Sequence, residues 1–121
     1  MDEVEYFVSA RGEKLVQNFI DSLEKVTQSK VLRIVLTIRT YGLQSVLSHV
    51  KKLSGTPLWE IRILGRDNVR IFYVVHHVGK VMLLHGFVKK KQKTDLREID
   101  KLTLISYVIS LLYEKKKILY I

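Results

Sequence analysis

The spacing of apolar residues changes once along this chain, and that change constrains the fold more than any other feature. Up to Gly42 the apolar residues recur every three or four positions, which is the repeat of an amphipathic helix. From Leu58 onward they alternate with polar residues, as in a half-buried strand. The turn residues 54–57 (Ser-Gly-Thr-Pro) precede the change. The pattern predicts an α+β fold in which helices precede an antiparallel sheet.

The first 42 residues are predicted to hold one short edge strand and two helices. The strand spans about 4–8, and the first helix carries its apolar residues between Leu15 and Leu23. The second helix buries 31–38 and stops at Gly42, which can supply a left-handed C-cap. The polar stretch 27–29 is the expected link, so the two helices form a hairpin.

Three strands and a last helix are predicted to follow the turn. The strands are expected at about 58–64, 69–76 and 80–88. After the basic run 89–93, Thr94 or Asp95 is expected to cap the helix. We expect residues 1–121 to form a single domain, with 102–121 as its C-terminal helix.

One strand register keeps the apolar residues together, and a slip of one residue would turn a strand over. It places Arg62 opposite Arg70, Arg70 opposite Phe87, and Phe72 opposite His85. The apolar face then holds Trp59, Ile61, Ile63, Val69, Ile71, Tyr73, Leu84, Gly86 and Val88. The opposite face holds Glu60, Arg62, Arg70, Phe72, His85, Phe87 and Lys89.

This second face predicts an anion site. Two arginines directly opposite one another repel, so the pair calls for an anion between them, and a phosphate would serve. Phe72 and Phe87 beside the pair are suited to stack a base or a sugar. The alternative is an ordinary solvated sheet face, or one that a second helix covers.

The charge distribution favours a polyanionic partner. The net charge is +9, with −3 on residues 1–29 and +12 on the remainder. Nucleic acid is the first candidate, and an acidic protein or an anionic membrane surface are the others. The alternative is that the lysines serve only solubility.

Several classes of site and location are excluded or disfavoured. The chain has no cysteine, which excludes a thiol nucleophile, a cysteine zinc site and an iron–sulfur cluster, and fits a reducing compartment. The four histidines lack metal-ligand spacing, and no phosphate-binding glycine loop occurs, so neither a metal nor a cofactor is predicted. The acidic N-terminus is not a signal peptide, and the run 102–113 is too short to span a bilayer. We expect a cytoplasmic protein without a membrane partner.

Three strings in the sequence resemble the HigB/RelE-type toxins of bacterial toxin–antitoxin systems, in the phage-derived branch. They are LWEIRI (58–63), RIFY (70–73) and LLHGFVKKKQKTDLREIDK (83–101), and GEKLVQNFIDSL (12–23) is similar to the same branch. The resemblance implies a small curved antiparallel sheet packed on two helices. It also implies ribosome-dependent cleavage of messenger RNA and neutralisation by a cognate antitoxin, usually of helix-turn-helix type.

The resemblance also implies roles for individual residues. Arg62 and Arg70 fall where the family holds the scissile phosphate. The family supplies further cations in the basic stretch after the last core strand, where this chain has Lys89, Lys91 and Lys93, with Lys90 beside them. The resemblance therefore predicts that these lysines contact RNA.

Two features depart from the family. Asp95 replaces a frequent proline, and the last helix has no evident counterpart of a catalytic tyrosine. Residues 102–121 are also more apolar than expected, which suggests an extra packing helix or a surface for an antitoxin or a dimer.

The expected reaction is cleavage of RNA without a metal. The arginine pair is suited to stabilise the phosphorane, because a guanidinium grips phosphate oxygens and keeps its charge. His85 is the first candidate for proton transfer, since an unperturbed histidine has a pKa of about 6.5. The alternative for His85 is a histidine that is hydrogen-bonded in the sheet core and has no catalytic role. A lysine of the cluster that starts at Lys89 is an alternative. Glu60 is a weaker one, because neutralising Arg62 would account for its presence equally well.

Two other classes of function compete with the nuclease. One is a non-catalytic basic module that binds RNA or protein through the same face. The other is a related toxin that acts on another target such as gyrase.

Overall fold

The computed structural model describes residues 2–65, 68–89 and 96–119, and these form an α+β fold. They contain five strands in one sheet, three α-helices and one 3-10 helix. The strands are β1 Glu3–Tyr6, β2 Val50–Lys52, β3 Trp59–Ile63, β4 Val69–His77 and β5 Lys80–Val88. The helices are α1 Leu15–Ser22, α2 Lys25–Tyr41, the 3-10 helix Leu43–His49, and α3 Leu96–Leu119. The α+β class predicted from the sequence is confirmed.

The sheet is mixed, with strand order β1-β5-β4-β3-β2. The pairs β2–β3, β3–β4 and β4–β5 are antiparallel, whereas β1 runs parallel to β5, with Val4 beside Val81. The expectation of a wholly antiparallel sheet is therefore wrong at its first strand. A period of two identifies a strand but carries no information on the direction of a distant neighbour.

Helices α1 and α2 cover one face of the sheet. Val16 and Ile20 of α1 are buried in the same core cluster as the inward-facing residues of β3 and β4. The break between the helices lies at Leu23 and Glu24, whose ψ angles are 154° and 149°, and not at 27–29 as expected. The reason is that Thr27 is buried. It is the first residue of the buried face of α2, which also includes Val31, Val35 and Ile38.

Helix α3 covers part of the other face. Leu102 is 3% exposed in a second core cluster with Leu58, Phe72, Val74 and Leu84. The inner side of α3 also packs Ile99, Ile105 and Ile109 against this cluster. Residues from 102 onward thus include an extra packing helix, one of the two interpretations of this segment. In the described chain, the helices lack a stretch with the length and hydropathy needed to span a membrane.

The cross-strand pairs predicted for the charged face are observed. Arg62 pairs with Arg70, Arg70 with Phe87, and Phe72 with His85. Between β4 and β5 the register shifts between Val75 and His77, and it also shifts after Phe72, where Tyr73 pairs with Leu83. Leu84 is the extra residue of this irregularity and joins the cluster beneath α3, so its assignment to the α1–α2 face is wrong.

Candidate functional site

The two arginines of neighbouring strands share an anion that belongs to the chain itself. Glu60 precedes Arg62 by two residues on β3 and therefore points to the same face. Its Oε1 atom lies 3.4 Å from Nε of Arg62 and 3.1 Å from Nε of Arg70. The carboxylate explains how two guanidinium groups can lie directly opposite each other in the sheet.

The three charged residues differ greatly in exposure. The side chains of Glu60 and Arg70 are 3% and 10% exposed, whereas that of Arg62 is 38% exposed. A buried carboxylate is costly unless it is paired, and Arg70 supplies the buried partner. Arg70 also donates a hydrogen bond from Nη1 to the Val69 carbonyl, at 3.3 Å. Arg70 therefore anchors Glu60, and Arg62 is the member of the cluster that reaches solvent.

The outer edge of the Arg62 guanidinium is available to a ligand. Its contact with Glu60 uses Nε, at 3.4 Å. Within the part of the chain that the structure describes, the terminal nitrogens of Arg62 have no partner. Since a guanidinium binds phosphate oxygens through two parallel donors, this free edge can hold a phosphodiester while Glu60 stays in place.

His85 lies on the same face and is held by α3. Its Nε2 is 3.5 Å from Oε1 of Glu98, in the first turn of that helix. The ring also stacks on Phe87, with centroids 5.8 Å apart and planes 23° apart. Burial lowers the pKa of His85, Glu98 raises it, and Lys101 lowers it again, with a lowered value as the net result. A histidine with a lowered pKa is neutral at pH 7 and can accept a proton.

The two phenylalanines of this face have different surroundings. Phe72 is fully buried among the residues that α3 covers, and its ring lies 5.2 Å from that of Phe87. The expectation that Phe72 stacks a base is not supported, because α3 leaves no face of its ring free. Phe87 is half-buried beside His85. The alternative to an anion site, a face that a second helix covers, therefore applies to the part of this face around Phe72.

The predicted lysines lie at and beyond the end of β5. The backbone N–H of Lys89 donates to the Asn68 carbonyl at 2.7 Å, which extends the β4–β5 ladder by one residue. The alternation of β5 places Lys89 on the face of Phe87. The other lysines predicted to bind RNA lie outside the described residues; these are Lys90, Lys91 and Lys93. Their assignment to RNA stays a prediction.

Sequence reasoning missed one cation on this face. Lys51 of β2 is exposed and stands directly opposite Glu60 in the β2–β3 pairing, so it points to the same side as Arg62. Strand β2 has three residues and no alternation of its own, and its only signal was a basic pair between the helices and the turn. As for metals, the described residues include no cluster of three or more His, Asp or Glu side chains that could hold an ion.

Comparison with known proteins gives a family match and likenesses to solved structures. The family described as phage derived protein Gp49-like (DUF891) matches residues 18–103. The search of curated proteins gives no match. The chain is similar to the solution structure of the conserved hypothetical protein HP0894 from Helicobacter pylori, with 18% identity and a TM-score of 0.42 over 77% of this chain and 100% of that one. The family match ends at Thr103, so most of α3 lies beyond it.

Proposed function

This chain belongs to the phage-derived Gp49-like family (DUF891), a family of RelE/HigB-type toxins, and we propose that it cleaves messenger RNA on the ribosome. The family is associated with the toxins of toxin–antitoxin systems, and that association implies a cognate antitoxin as partner. The finer assignment, an endoribonuclease that inhibits translation, rests on the chemistry of the site.

The observation that carries the proposal is the free guanidinium edge of Arg62, held on one face with His85. The Glu60 carboxylate contacts Arg62 and is itself paired with the buried Arg70. The Arg62 guanidinium is therefore oriented before RNA binds. Preorganised donors of this kind stabilise charge that develops in a transition state. In RNA cleavage that charge develops on the non-bridging oxygens of the scissile phosphate.

The proposed reaction is a transfer within the RNA backbone. The 2'-oxygen attacks the adjacent phosphorus, the bond from phosphorus to the 5'-oxygen breaks, and a 2',3'-cyclic phosphate results. His85 takes the proton of the 2'-hydroxyl. Because the Glu98 carboxylate faces Nε2, it favours the tautomer with the proton on that nitrogen and leaves the lone pair on Nδ1. Lys89 is the proposed proton donor to the departing 5'-oxygen.

Other residues of the face are proposed to hold the RNA without taking part in the reaction. Phe87, half-buried beside His85, is assigned to stack on a base or sugar. Arg70 is assigned to position Arg62 through Glu60, since its own side chain is 10% exposed. The phosphates that flank the scissile one are assigned to Lys51 on β2 and, after β5, to Lys90, Lys91 and Lys93.

The decisive experiment is inducible expression of the full chain followed by mapping of transcript 5' ends. We expect growth arrest with new 5' ends inside translated messages. Arg62→Ala should abolish both, and Arg11→Ala, which removes the same charge from an exposed loop, should abolish neither. Arrested replication with intact messages would point to another target such as gyrase. Salt-sensitive RNA binding without cleavage would identify a binding module.

A further inference from the structure

A groove of about 340 Å³ lies on the sheet face opposite the Arg62 site, between α2 and the end of β3. It is lined by Lys30, Arg33, Ile34, His49, Ile63 and Leu64. Ile63 belongs to the core that α1 and α2 cover, whereas its neighbour Arg62 points to the other face. A ligand in this groove would therefore not compete directly with RNA at Arg62.

The groove combines an apolar floor with a cationic rim. Among the apolar lining residues, Ile63 is buried, Ile34 is half-buried and Leu64 is 68% exposed. Lys30 and Arg33 are both exposed on α2, one turn apart. The described lining residues include no carboxylate. This combination suits a negatively charged group joined to an apolar side chain.

The two rim cations are not neutralised in the described part of the chain. Lys30 donates from Nζ to the Leu64 carbonyl at 3.3 Å, a neutral partner that holds the ammonium at the end of the groove. The Arg33 guanidinium has no partner among the described residues. Both charges are thus available to an anionic ligand.

The same features discriminate among macromolecular ligands. A second copy of this chain would bring like charges together, because residues from 30 onward carry a net charge of +12. An RNA backbone would match the cations but would leave Ile34, Ile63 and Leu64 without an apolar partner. An acidic peptide segment with an apolar side chain matches both parts of the groove.

We propose that this groove binds an acidic segment of the cognate antitoxin, one that inserts an apolar side chain between Lys30 and Arg33. The inference rests on the proposed toxin function for the existence of that partner. It adds the place where the partner binds and the chemistry by which it is recognised.

The test measures binding of the full chain to the purified product of the open reading frame adjacent to its gene. Arg33→Glu is expected to raise the dissociation constant at least tenfold and to weaken its dependence on salt, since charge complementarity is lost. Lys30→Glu is a second variant with the same expectation. Lys25→Glu makes the same charge change on α2 outside the groove and should leave the constant within about twofold. Thermal melting of each variant verifies folding.

Transcript cleavage by the same variants separates this inference from the proposed function. An unchanged dissociation constant in both groove variants overturns the docking site, as does failure of the parent chain to bind the neighbouring product. Loss of cleavage with unchanged partner binding also overturns it, and would make the groove a second RNA contact. If the parent chain cleaves no message but Arg33→Glu still weakens the complex, the docking site stands and the nuclease assignment falls.

Discussion

Glu60 and Arg70 form a buried ion pair on the sheet face that carries the candidate site, with Oε1 3.1 Å from Nε and side chains 3% and 10% exposed. The same oxygen lies 3.4 Å from Nε of the half-exposed Arg62. One internal carboxylate therefore aligns the outer arginine and leaves its terminal nitrogens for a ligand. The two arginines that the sequence presents as a matched pair therefore differ in the structure, because Arg70 is buried with Glu60 whereas Arg62 reaches solvent.

Arg70→Ala should be strongly destabilising. Removing the guanidinium leaves the buried Glu60 carboxylate without its closest counter-charge, a change that costs about 3–5 kcal/mol for buried pairs. Urea unfolding measures the loss. The double variant Glu60→Gln/Arg70→Ala should recover part of it, because no buried charge is then left unpaired. A free energy of unfolding for Arg70→Ala within about 1 kcal/mol of the parent would contradict the anchoring role.

Arg62→Ala, unlike Arg70→Ala, should leave stability almost unchanged and should reduce cleavage. The residue meets solvent, and its Glu60 contact is shared with Arg70, so the midpoint of unfolding should barely change. Cleavage should fall at least about 10²-fold, the usual effect of removing a donor to a developing oxyanion. The cleavage rate of Arg62→Lys should lie between those of the parent and of Arg62→Ala, because an ammonium keeps the positive charge but lacks the paired donors of a guanidinium. Arg11→Ala serves as the matched surface control, and cleavage near the parent rate in Arg62→Ala would remove Arg62 from the mechanism.

The arginine pairing was predictable from the sequence, because the alternation of β3 and β4 permits one register that buries the apolar residues together. The role of Glu60 was not predictable, since an ion pair depends on side-chain conformations, and the need for one depends on how deeply the carboxylate is buried. The burial of Phe72 was missed for a related reason. It is set by α3, a helix whose docking is a long-range event that local patterns do not encode.

The ends of elements were harder to predict than their existence. The sequence pattern predicts a polar link at Thr27, whereas tertiary packing makes this residue the first of the buried α2 stripe. The 3-10 helix Leu43–His49 and strand β2 have no apolar period long enough to identify. Strict alternation predicts the wrong face for Leu84, because a single extra residue reverses the alternation and no composition signal marks such a residue here.

Leu102→Ala should test whether α3 is an integral part of the fold. Leu102 is 3% exposed against Phe72 and Leu84, and such a truncation costs about 2–5 kcal/mol through lost burial and a residual cavity. Leu104, two residues on, is 67% exposed, so Leu104→Ala should change the free energy of unfolding by much less. Urea unfolding of the pair is the measurement. Equal effects would mean that α3 is not docked through Leu102.

His85→Gln should reduce transcript cleavage by about 10² or more, the usual loss when a general base is removed. The fold should survive, because glutamine keeps a polar group of similar length beside Glu98. Cleavage rates in a translating extract give the measurement, with circular dichroism as the check on folding. A rate within about threefold of the parent would assign proton transfer elsewhere, with Lys89 as the next residue to substitute.

The pH dependence of cleavage should identify the groups that tune His85. Burial and Lys101 lower the pKa of His85 while Glu98 raises it, so the acid limb of the rate profile should fall below about pH 6.5. Glu98→Gln removes the charge that raises the pKa and should move that limb to lower pH, whereas Lys101→Met should move it to higher pH. Asp100→Asn, on the same helix, is the matched control and should leave it in place.

The pH dependence of the free energy of unfolding should respond to the same two substitutions, Glu98→Gln and Lys101→Met. Because the folded pKa of His85 lies below the unfolded value of about 6.5, the unfolded state binds the proton more readily, and stability should fall as the pH drops below 6.5. Glu98→Gln widens the gap between the two values and should make that fall larger, and Lys101→Met should make it smaller. His76, whose pKa burial also lowers, titrates in the same direction, so each variant is compared with the same substitution made in a His85→Gln background. Shifts that persist in that background would show that Glu98 and Lys101 act on another group.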